Sequence, residues 1–566
     1  MVVLAVTVAA FGARPVSAKP KKEQITDVGF RVGWGGCYRP HEWTPIEIDI
    51  NHTFGKPITA TVYLSVQQDD MNMMELARTL VLAPDVSASL ALAAKFDYQA
   101  SECEVIIRDD KGRRLWKKSY PLWKYSGEER VLDQIGDEEM LIAFARGRSS
   151  ISGTGAFGLR HLPARTISIT GSDRGVVNVA EKLPRALPAD WTGYASLDLL
   201  VLYDLDWGRM SRHQARAVVE WVTGGGSLLI ILGSHPLPTA HPVAGLLPLT
   251  IKSPRTVLLD RSLLSSWGCR AIKTSRVDRW GLEVSRDQGA SSGRILGGLG
   301  AAVREPPLFV HGVAGLGRVG VLAFDPSVVG GTQKENLAPF WIAHLQELLT
   351  RRRMEYTSSD QREYLQNDYS SWSEVGPAAK GAGRVLEHLL RIPELRPLSI
   401  WWVIGLLGMM AVLIGPANYL VLRLVGRLPL TYVVSLGVIA LFTIAARYAV
   451  PYIRSGPMRV RAVSVIDGVD GDEEGWSTTY LGLYAPLSGD YKLTGAHPES
   501  WWSATTPMED DQVYIGQGGP SYGMQTASRS VYYHQVDGGN VPYSCLLYTS
   551  DAADELDGVD LGGRRI

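Results

Sequence analysis

Residues 197–233 read LDLLVLYDLDWGRMSRHQARAVVEWVTGGGSLLIILG, and this stretch decides the fold of the centre of the chain. Its two apolar runs, Leu197–Tyr203 and Ser227–Gly233, are nearly continuous, as in strands buried on both faces of a parallel sheet. Between them, Ser211-Arg-His-Gln214 is a capping box, and apolar residues follow it with helical spacing. Gly224-Gly225-Gly226 predicts the end of that helix. The stretch is therefore predicted to be a β-α-β unit with a right-handed crossover.

Residues 130–350 are predicted to carry the rest of this α/β domain. Leu308-Phe-Val-His-Gly312 and Arg318-Val-Gly-Val-Leu-Ala-Phe324 are predicted strands that flank a Gly315-Leu-Gly317 turn. The three glycines at 224–226 do not match a phosphate-binding loop, because they end a helix and precede a strand, whereas such loops follow a strand and open a helix. We therefore expect no nucleotide and no other cofactor.

Two segments of this domain carry a family resemblance. Asp198-Leu-Leu-Val-Leu-Tyr-Asp204 and Trp221-Val-Thr-Gly-Gly-Gly-Ser-Leu-Leu-Ile230 resemble the class I glutamine amidotransferase-like superfamily. Residues 317–326, GRVGVLAFDP, are similar to the version of that domain in large bacterial membrane proteins. The resemblance covers about 150–330 and implies a flavodoxin-like α/β fold; it does not settle function.

Active members of that superfamily place a cysteine on a sharp strand-to-helix elbow, with a histidine and an acid nearby. The equivalent turn here is Gly233-Ser234-His235-Pro236, which has no cysteine. Ser234 is the candidate nucleophile, with His235 or His241 as the candidate base. Adjacent residues rarely point at each other as a nucleophile and base must, so we expect no catalysis at this turn.

The N-terminal region predicts export and a β-sandwich. Residues 1–18 have an apolar run and a small-x-small site at Val16-Ser-Ala18, which predict a signal peptide, although the basic n-region is missing and a start further upstream is expected. Residues 25–125 show the alternation of half-buried strands, clearest at 46–50. The stretch GCYRPHEWTPI at residues 36–46 resembles the opening of extracytoplasmic sandwich domains in bacterial membrane proteins.

The four cysteines form no zinc pattern, and no metal site is expected. Cys37 and Cys103 both fall in the predicted sandwich. Two interpretations stay open for them: a disulfide, which export permits, or two buried thiols.

Two apolar segments, 398–422 and 430–453, are each long enough to span a bilayer and predict a transmembrane hairpin. Its loop carries Arg423 and Arg427 and no acid, which predicts a cytoplasmic loop. The remaining ends are expected to form one aromatic belt, with the residues Trp401, Trp402, Tyr448 and Tyr452.

Within the first span, GPANYLVLR at residues 415–423 resembles a motif of uncharacterised bacterial membrane proteins with this order of parts. Pro416 is expected to kink the helix, and Asn418 to face the partner helix. Polar residues 351–397 predict a linker, and residues 457–544 predict a β-rich extracytoplasmic domain. Its acidic loop at 467–474 lacks the register of a calcium loop.

Residues 545–566 begin CLLYTSDAADE, which resembles the translation of a sequencing adapter. We therefore expect an artefactual tail that packs on nothing, and a truncated β-rich domain that continues beyond Ser544 in the natural protein.

A net charge of −1 gives no basic field for nucleic acid. The combined pattern predicts a multi-pass protein of the cytoplasmic membrane with its large domains outside. Its function is expected to be that of a non-catalytic binding or scaffold protein, with the bilayer and an envelope protein or ligand as partners. The alternatives are an extracytoplasmic hydrolase that uses Ser234, and an accessory subunit of a transport or secretion system.

Overall fold

In the computed structural model, the described residues fall into several stretches, and all structural statements below concern them. These are 24–40, 42–67, 72–84, 86–96, 100, 102–122, 133–135, 140–146, 177–246, 249–259, 275–284, 307–326, 340–341, 344–345, 348–349, 385, 389, 400–426, 428–454, 459–470, 475–484, 489–493, 530–535 and 543–547. The predicted signal peptide (1–18) and most of the predicted linker (351–397) lie outside them.

The N-terminal region folds as two antiparallel sheets that enclose one apolar core. The sheets have the orders β1-β3-β6 and β5-β4-β7-β8. Ile46, Ile48 and Ile50 are fully buried and face Val62 and Val105 within one core, so the alternation that predicted a sandwich is confirmed. The strands are β1 (Ile25–Val32), β2 (Cys37–Tyr38), β3 (Trp43–His52), β4 (Ile58–Gln67), β5 (Asn72–Leu82), β6 (Ala88–Lys95), β7 (Glu102–Asp109) and β8 (Arg114–Pro121).

Of the two interpretations that the sequence left open, the disulfide is wrong, because Cys103 is a free thiol buried in the sandwich core. Cys37 lies on the short strand β2, which pairs with β9 (Asp133–Gln134) and packs against the core of the α/β domain. The two cysteines therefore belong to different cores. Burial raises the pKa of the Cys103 thiol well above its ordinary value and keeps it protonated.

The central region is the predicted α/β fold, built on a six-stranded mixed sheet of order β11-β10-β12-β13-β17-β16. Its first five strands are parallel, and β16 runs antiparallel to β17. Helix α1 (Arg212–Thr223) connects β12 to β13, which confirms the β-α-β unit. The six strands of this sheet are β10 (Met140–Arg146), β11 (Val177–Lys182), β12 (Leu199–Tyr203), β13 (Ser227–Ile231), β16 (Phe309–Ala314) and β17 (Gly317–Leu322). β14 (Leu249–Leu259) and β15 (Ser275–Val284) form a separate two-stranded sheet.

The start and end of α1 follow the predicted chemistry. The Ser211 hydroxyl accepts a hydrogen bond from Gln214 N, and the Gln214 side chain accepts one from Ser211 N. The Gln214 amide also donates to Leu187 O at 2.6 Å, which fixes the helix to the preceding loop. At the other end, Gly225 has a φ of 117°, a conformation open to glycine.

Among the described residues, one helix is long and apolar enough to cross a membrane, over Ile404–Leu424. The full helix begins at Ile400 and consists of α2 (Ile400–Val412), a π-helical turn at Leu413–Ala417, and α3 (Asn418–Leu424). The π turn contains Pro416, which lacks the N–H that a regular helix uses there.

A second helix, α4 (Thr431–Arg454), follows after a short turn, and its part Thr431–Ala445 is apolar but shorter than a span. Asn418 donates to Thr431 O at 3.1 Å and to Ser435 Oγ at 2.9 Å, so it faces the partner helix as expected. Arg423 lies in the last turn of α3. Arg427 and the side chains of the predicted aromatic belt lie outside the described residues, namely Trp401, Trp402, Tyr448 and Tyr452.

The strands after α4 do not form one separate sheet. β18 (Arg459–Gly468) and β19 (Gly475–Tyr484) make an antiparallel hairpin of their own. β20 (Gly489–Leu493), β21 (Ser530–Gln535) and β22 (Tyr543–Leu547) instead extend the sandwich, because β21 pairs in parallel with the edge strand β5. An edge strand exposes unpaired backbone groups, and β21 satisfies them.

The prediction that the tail packs on nothing is wrong for its first three residues. Residues 545–547 complete β22, where Cys545 is the register partner of Tyr491 and Tyr532. Pairing follows backbone hydrogen bonding, which almost any short apolar segment supplies. Residues 548–566 lie outside the described residues.

Candidate functional site

The candidate site lies where three neighbouring parallel strands end. Asp204 follows β12, Ser234 follows β13 after two residues, and Asp325 follows β17. In open α/β sheets, ligands bind beyond the carboxyl ends of the strands, so this edge is the natural location for a site.

Asp204 is the centre of the hydrogen bonding at this edge. Its Oδ1 accepts from Ser234 N at 2.6 Å, from His235 N at 3.0 Å, and lies 3.0 Å from His235 Nδ1. Its Oδ2 accepts from the Ser234 hydroxyl at 3.3 Å. One carboxylate therefore takes two consecutive backbone amides, one hydroxyl and one imidazole. Two consecutive amides that point at one oxygen form the kind of concavity that binds anions.

The turn after β13, residues 233–235, is called the elbow here, and two features hold it in place. At Gly233, an added Cβ would stand 2.5 Å from Asp204 Cγ, so only glycine lets the carboxylate approach this closely. The Trp280 indole N–H, from β15, donates to Gly233 O at 2.8 Å. The β14–β15 hairpin thus braces the elbow from outside the sheet.

The backbone of Asp204 is strained where its side chain accepts hydrogen bonds from the elbow. Its φ of 40° is the only positive value at a described residue other than glycine. Asp204 N still donates to Ile231 O at 3.0 Å, so the strand pairing of β12 with β13 continues to this residue. Backbone strain of this kind is concentrated at functional sites in folded proteins.

The flanks of the elbow carry two further polar groups. Tyr203 Oη donates to Asp325 Oδ2 at 2.7 Å, across the end of β13. His241 packs edge-on against Trp207, with ring centroids 5.0 Å apart. Burial lowers the pKa of His241, because the charged imidazolium loses hydration.

Two of the three site residues predicted from the sequence lie together in the structure. Both contact the same acidic residue, which was not predicted from the sequence. Ser234 and His235 both contact Asp204, whereas His241 lies on Trp207. Among the described residues, the Ser234 hydroxyl donates to Asp204 and to no histidine ring nitrogen. Asp204 could have been found by its position, as the first polar residue after a buried strand.

In the part of the chain that the structure describes, there is little enclosed space next to the elbow. A cavity of about 20 Å³, room for a single water, lies between β13, β17 and the loop that follows the elbow. Its walls are apolar and include Ile230, Leu237 and Val243. Among the described residues, no group of three or more histidine, cysteine, aspartate or glutamate side chains could hold a metal ion.

Comparisons with known proteins give distant likenesses. No family model and no curated protein matches the chain. A Paenibacillus sp. cycloisomaltooligosaccharide glucanotransferase is 11% identical with a TM-score of 0.16, over 37% of this chain and 28% of that chain. The CARDB domain of a Pyrococcus furiosus protein is 11% identical with a TM-score of 0.12, over 16% of this chain and 76% of that chain. A Listeria innocua β-glucosidase is 9% identical with a TM-score of 0.12, over 20% of each chain. The amidotransferase-like resemblance stays a prediction.

Proposed function

We propose that this protein is a membrane-anchored binding or scaffold protein of the bacterial envelope, with its large domains outside the cytoplasmic membrane and an α/β domain that does not catalyse. The observation that carries the proposal is the occupation of the elbow by Asp204. The anchor rests on the apolar helix Ile404–Leu424 and on contacts between segments on either side of the membrane helices.

An elbow hydrolase needs a nucleophile hydroxyl paired with a base and free donors for the oxyanion. Here the Ser234 hydroxyl donates to an acid, and the amides of Ser234 and His235 donate to the same acid. The His235 ring faces Asp204 as well. The elbow amides that would stabilise an oxyanion are thus engaged by a resident carboxylate, which argues against hydrolysis.

The apolar helix has the surface of a lipid-facing segment. Four apolar side chains along this helix are each at least half exposed, namely Ile404, Leu407, Val412 and Val421. An apolar surface of this length is unfavourable in water. Hydrocarbon solvates these side chains without cost. The exposure supports insertion in a bilayer.

Contacts between the flanks of the membrane helices support a two-span hairpin. Trp476, after the helices, packs edge-on against Trp191 of the α/β domain, with centroids 5.1 Å apart. Gly482 lies so close to Leu389, before the helices, that an added Cβ would stand 3.2 Å from Leu389 Cβ. Strand β21 pairs with β5 of the sandwich. Segments that touch must lie on the same side of the membrane, so the number of crossings between them is even.

An even number of crossings supports α4 (Thr431–Arg454) as the second span, since a single span would separate segments that are in contact. At 24 residues and about 1.5 Å per residue, α4 is long enough for the hydrocarbon core. The loop with Arg423 and Arg427 then lies in the cytoplasm, as the positive-inside rule predicts. An accessory subunit of a transport or secretion system would have this same topology.

A second candidate function is the hydrolase. It is favoured by the contact between His235 Nδ1 and Asp204, because an acid on Nδ1 orients a histidine base through its other nitrogen. The full chain, purified in detergent, separates the two functions. The binding protein should not react with a fluorophosphonate probe, and should release no ammonia from glutamine. Labelling that disappears in Ser234→Ala would establish the hydrolase.

A further inference from the structure

The donors of the elbow form a complete receptor for one carboxylate. Two amide N–H groups and the His235 imidazole surround Asp204 Oδ1, and the Ser234 hydroxyl reaches Oδ2. Hydrogen bonds from several donors to an ionised acceptor are the strong ones, and here they converge from consecutive residues. A free carboxylate in the same place would find the same four donors.

The receptor is open to solvent and matched in shape to a carboxylate. Ser234 is exposed, and the His235 side chain is 40% exposed, so a ligand reaches the donors without unfolding the domain. Gly233 leaves the space in which the carboxylate carbon sits, because an added Cβ there would stand 2.5 Å from Asp204 Cγ. The bond from Trp280 to Gly233 O holds the donors in place.

Asp204, which occupies this receptor in the structure, has an unfavourable backbone conformation. Asp204 has a φ of 40°, which glycine adopts more readily than aspartate. Rotation of its side chain would release all four donors and leave the backbone pairing of β12 unchanged.

We propose that the elbow is a binding site for a carboxylate group of a ligand, and that Asp204 is an internal competitor that occupies the site in its absence. An incoming carboxylate takes the two amides, the hydroxyl and the imidazole, and the Asp204 side chain turns to solvent. The inference goes beyond the proposed scaffold role, since it assigns a place and a chemical class to the ligand.

The test measures acetate binding to the full chain in detergent by NMR titration, with chloride at equal ionic strength as the reference. Asp204→Gly removes the competitor and suits the positive φ. It should bind acetate about tenfold more tightly than the wild type or better, the factor expected if Asp204 fills the site about nine-tenths of the time. Asp204→Asn keeps the shape and removes the charge, so its affinity should lie between the two.

The matched control is the double variant Asp204→Gly/Gly233→Ala. Its added methyl group fills the space of the carboxylate carbon and should abolish the gain. Acetate affinity that is equal in the wild type, Asp204→Asn and Asp204→Gly would overturn the proposal. If Asp204→Gly fails to fold, the order of the wild type and Asp204→Asn decides alone. Fluorophosphonate labelling tests the non-catalytic role separately, so the two failures are distinguishable.

Discussion

Arg39 and Asp198 form an ion pair that joins the sandwich to the α/β domain, with Arg39 Nη2 2.9 Å from Asp198 Oδ2. Both side chains are largely buried, at 10% and 18% exposure. The same Asp198 oxygen accepts from Leu141 N at 2.8 Å, at the start of β10. Nearby, Trp34 of the sandwich donates its indole N–H to Gly193 O at 3.1 Å. The two domains therefore share a polar and aromatic interface.

Arg39→Met should lower the free energy of unfolding by about 3 kcal/mol, because it leaves the buried Asp198 carboxylate without its cation. Denaturant unfolding of the full chain in detergent measures this. The control is Arg31→Met, at an ion pair whose arginine is 62% exposed, which should cost less than about 1 kcal/mol. Equal losses in the two variants would contradict the role of the interface.

Trp476→Ala should release the β18–β19 hairpin from the α/β domain. The indole packs on Trp191 and on Gly224, where an added Cβ would stand 2.6 Å from Trp476 Cε2. Hydrogen exchange of residues 191–194 should accelerate by about fivefold, from the loss of an aromatic contact worth roughly 1 kcal/mol. Gly224→Ala should act in the same direction.

The control for this contact is Ile466→Ala, on the same hairpin but 73% exposed, which should leave the exchange of residues 191–194 unchanged. Acceleration by Ile466→Ala alone would show that the hairpin docks through another surface.

Cysteine labelling in intact cells tests the two-span topology. A cysteine at Gly426, in the turn between α3 and α4, should be shielded from a membrane-impermeant thiol reagent, and one at Ile466 should react. The unsubstituted chain gives the background, and its Cys103 should stay silent because burial raises its thiol pKa. Labelling at Gly426 with protection at Ile466 would reverse the orientation, and labelling at both would exclude the hairpin.

Asn418→Leu should weaken the contact between α3 and α4 by about 1 kcal/mol, since it removes two hydrogen bonds that Asn418 donates to α4. A double-mutant cycle with Ser435→Ala isolates one of these bonds, measured by unfolding in denaturing detergent. Additive effects of the two substitutions would mean that the Asn418–Ser435 bond contributes nothing to the hairpin.

His344 should make the α/β domain sensitive to acid. Burial among aromatic rings lowers its pKa to about 4 from the ordinary value of 6.5, against the opposing hydrogen bond to Phe340 O. The unfolded chain then binds a proton below about pH 6.5 that the folded chain refuses. The free energy of unfolding is therefore at its full value above about pH 6.5, and it falls by about 3 kcal/mol as the pH drops toward 4.

The matched variant is His344→Phe, which removes this titration and keeps an aromatic ring. Its unfolding free energy should fall less steeply than that of the wild type between pH 6.5 and 4. Parallel curves for the two proteins would show that His344 takes up its proton in the folded state as readily as in the unfolded one.

The sequence by itself determined the elements whose signals are local. Apolar runs with a capping box and glycines at 224–226 specify strand, helix and strand, because each signal lies within one turn or one strand of its effect. The alternation of residues 46–50 specified a strand of the sandwich, and the uncharged run up to Leu422 specified an apolar helix, for the same reason. Asn418 was expected to face α4, because a polar group inside an apolar span needs a partner.

Only the tertiary structure decided which distant residues meet. Asp204 and Ser234 are 30 positions apart, and their contact depends on parallel neighbours whose ends coincide. The separation of Cys37 and Cys103 into two cores, and the pairing of β21 with β5, depend likewise on how sheets stack and which edges are open. Spacing along the chain carries no such information, because backbone hydrogen bonds and apolar burial are indifferent to residue number.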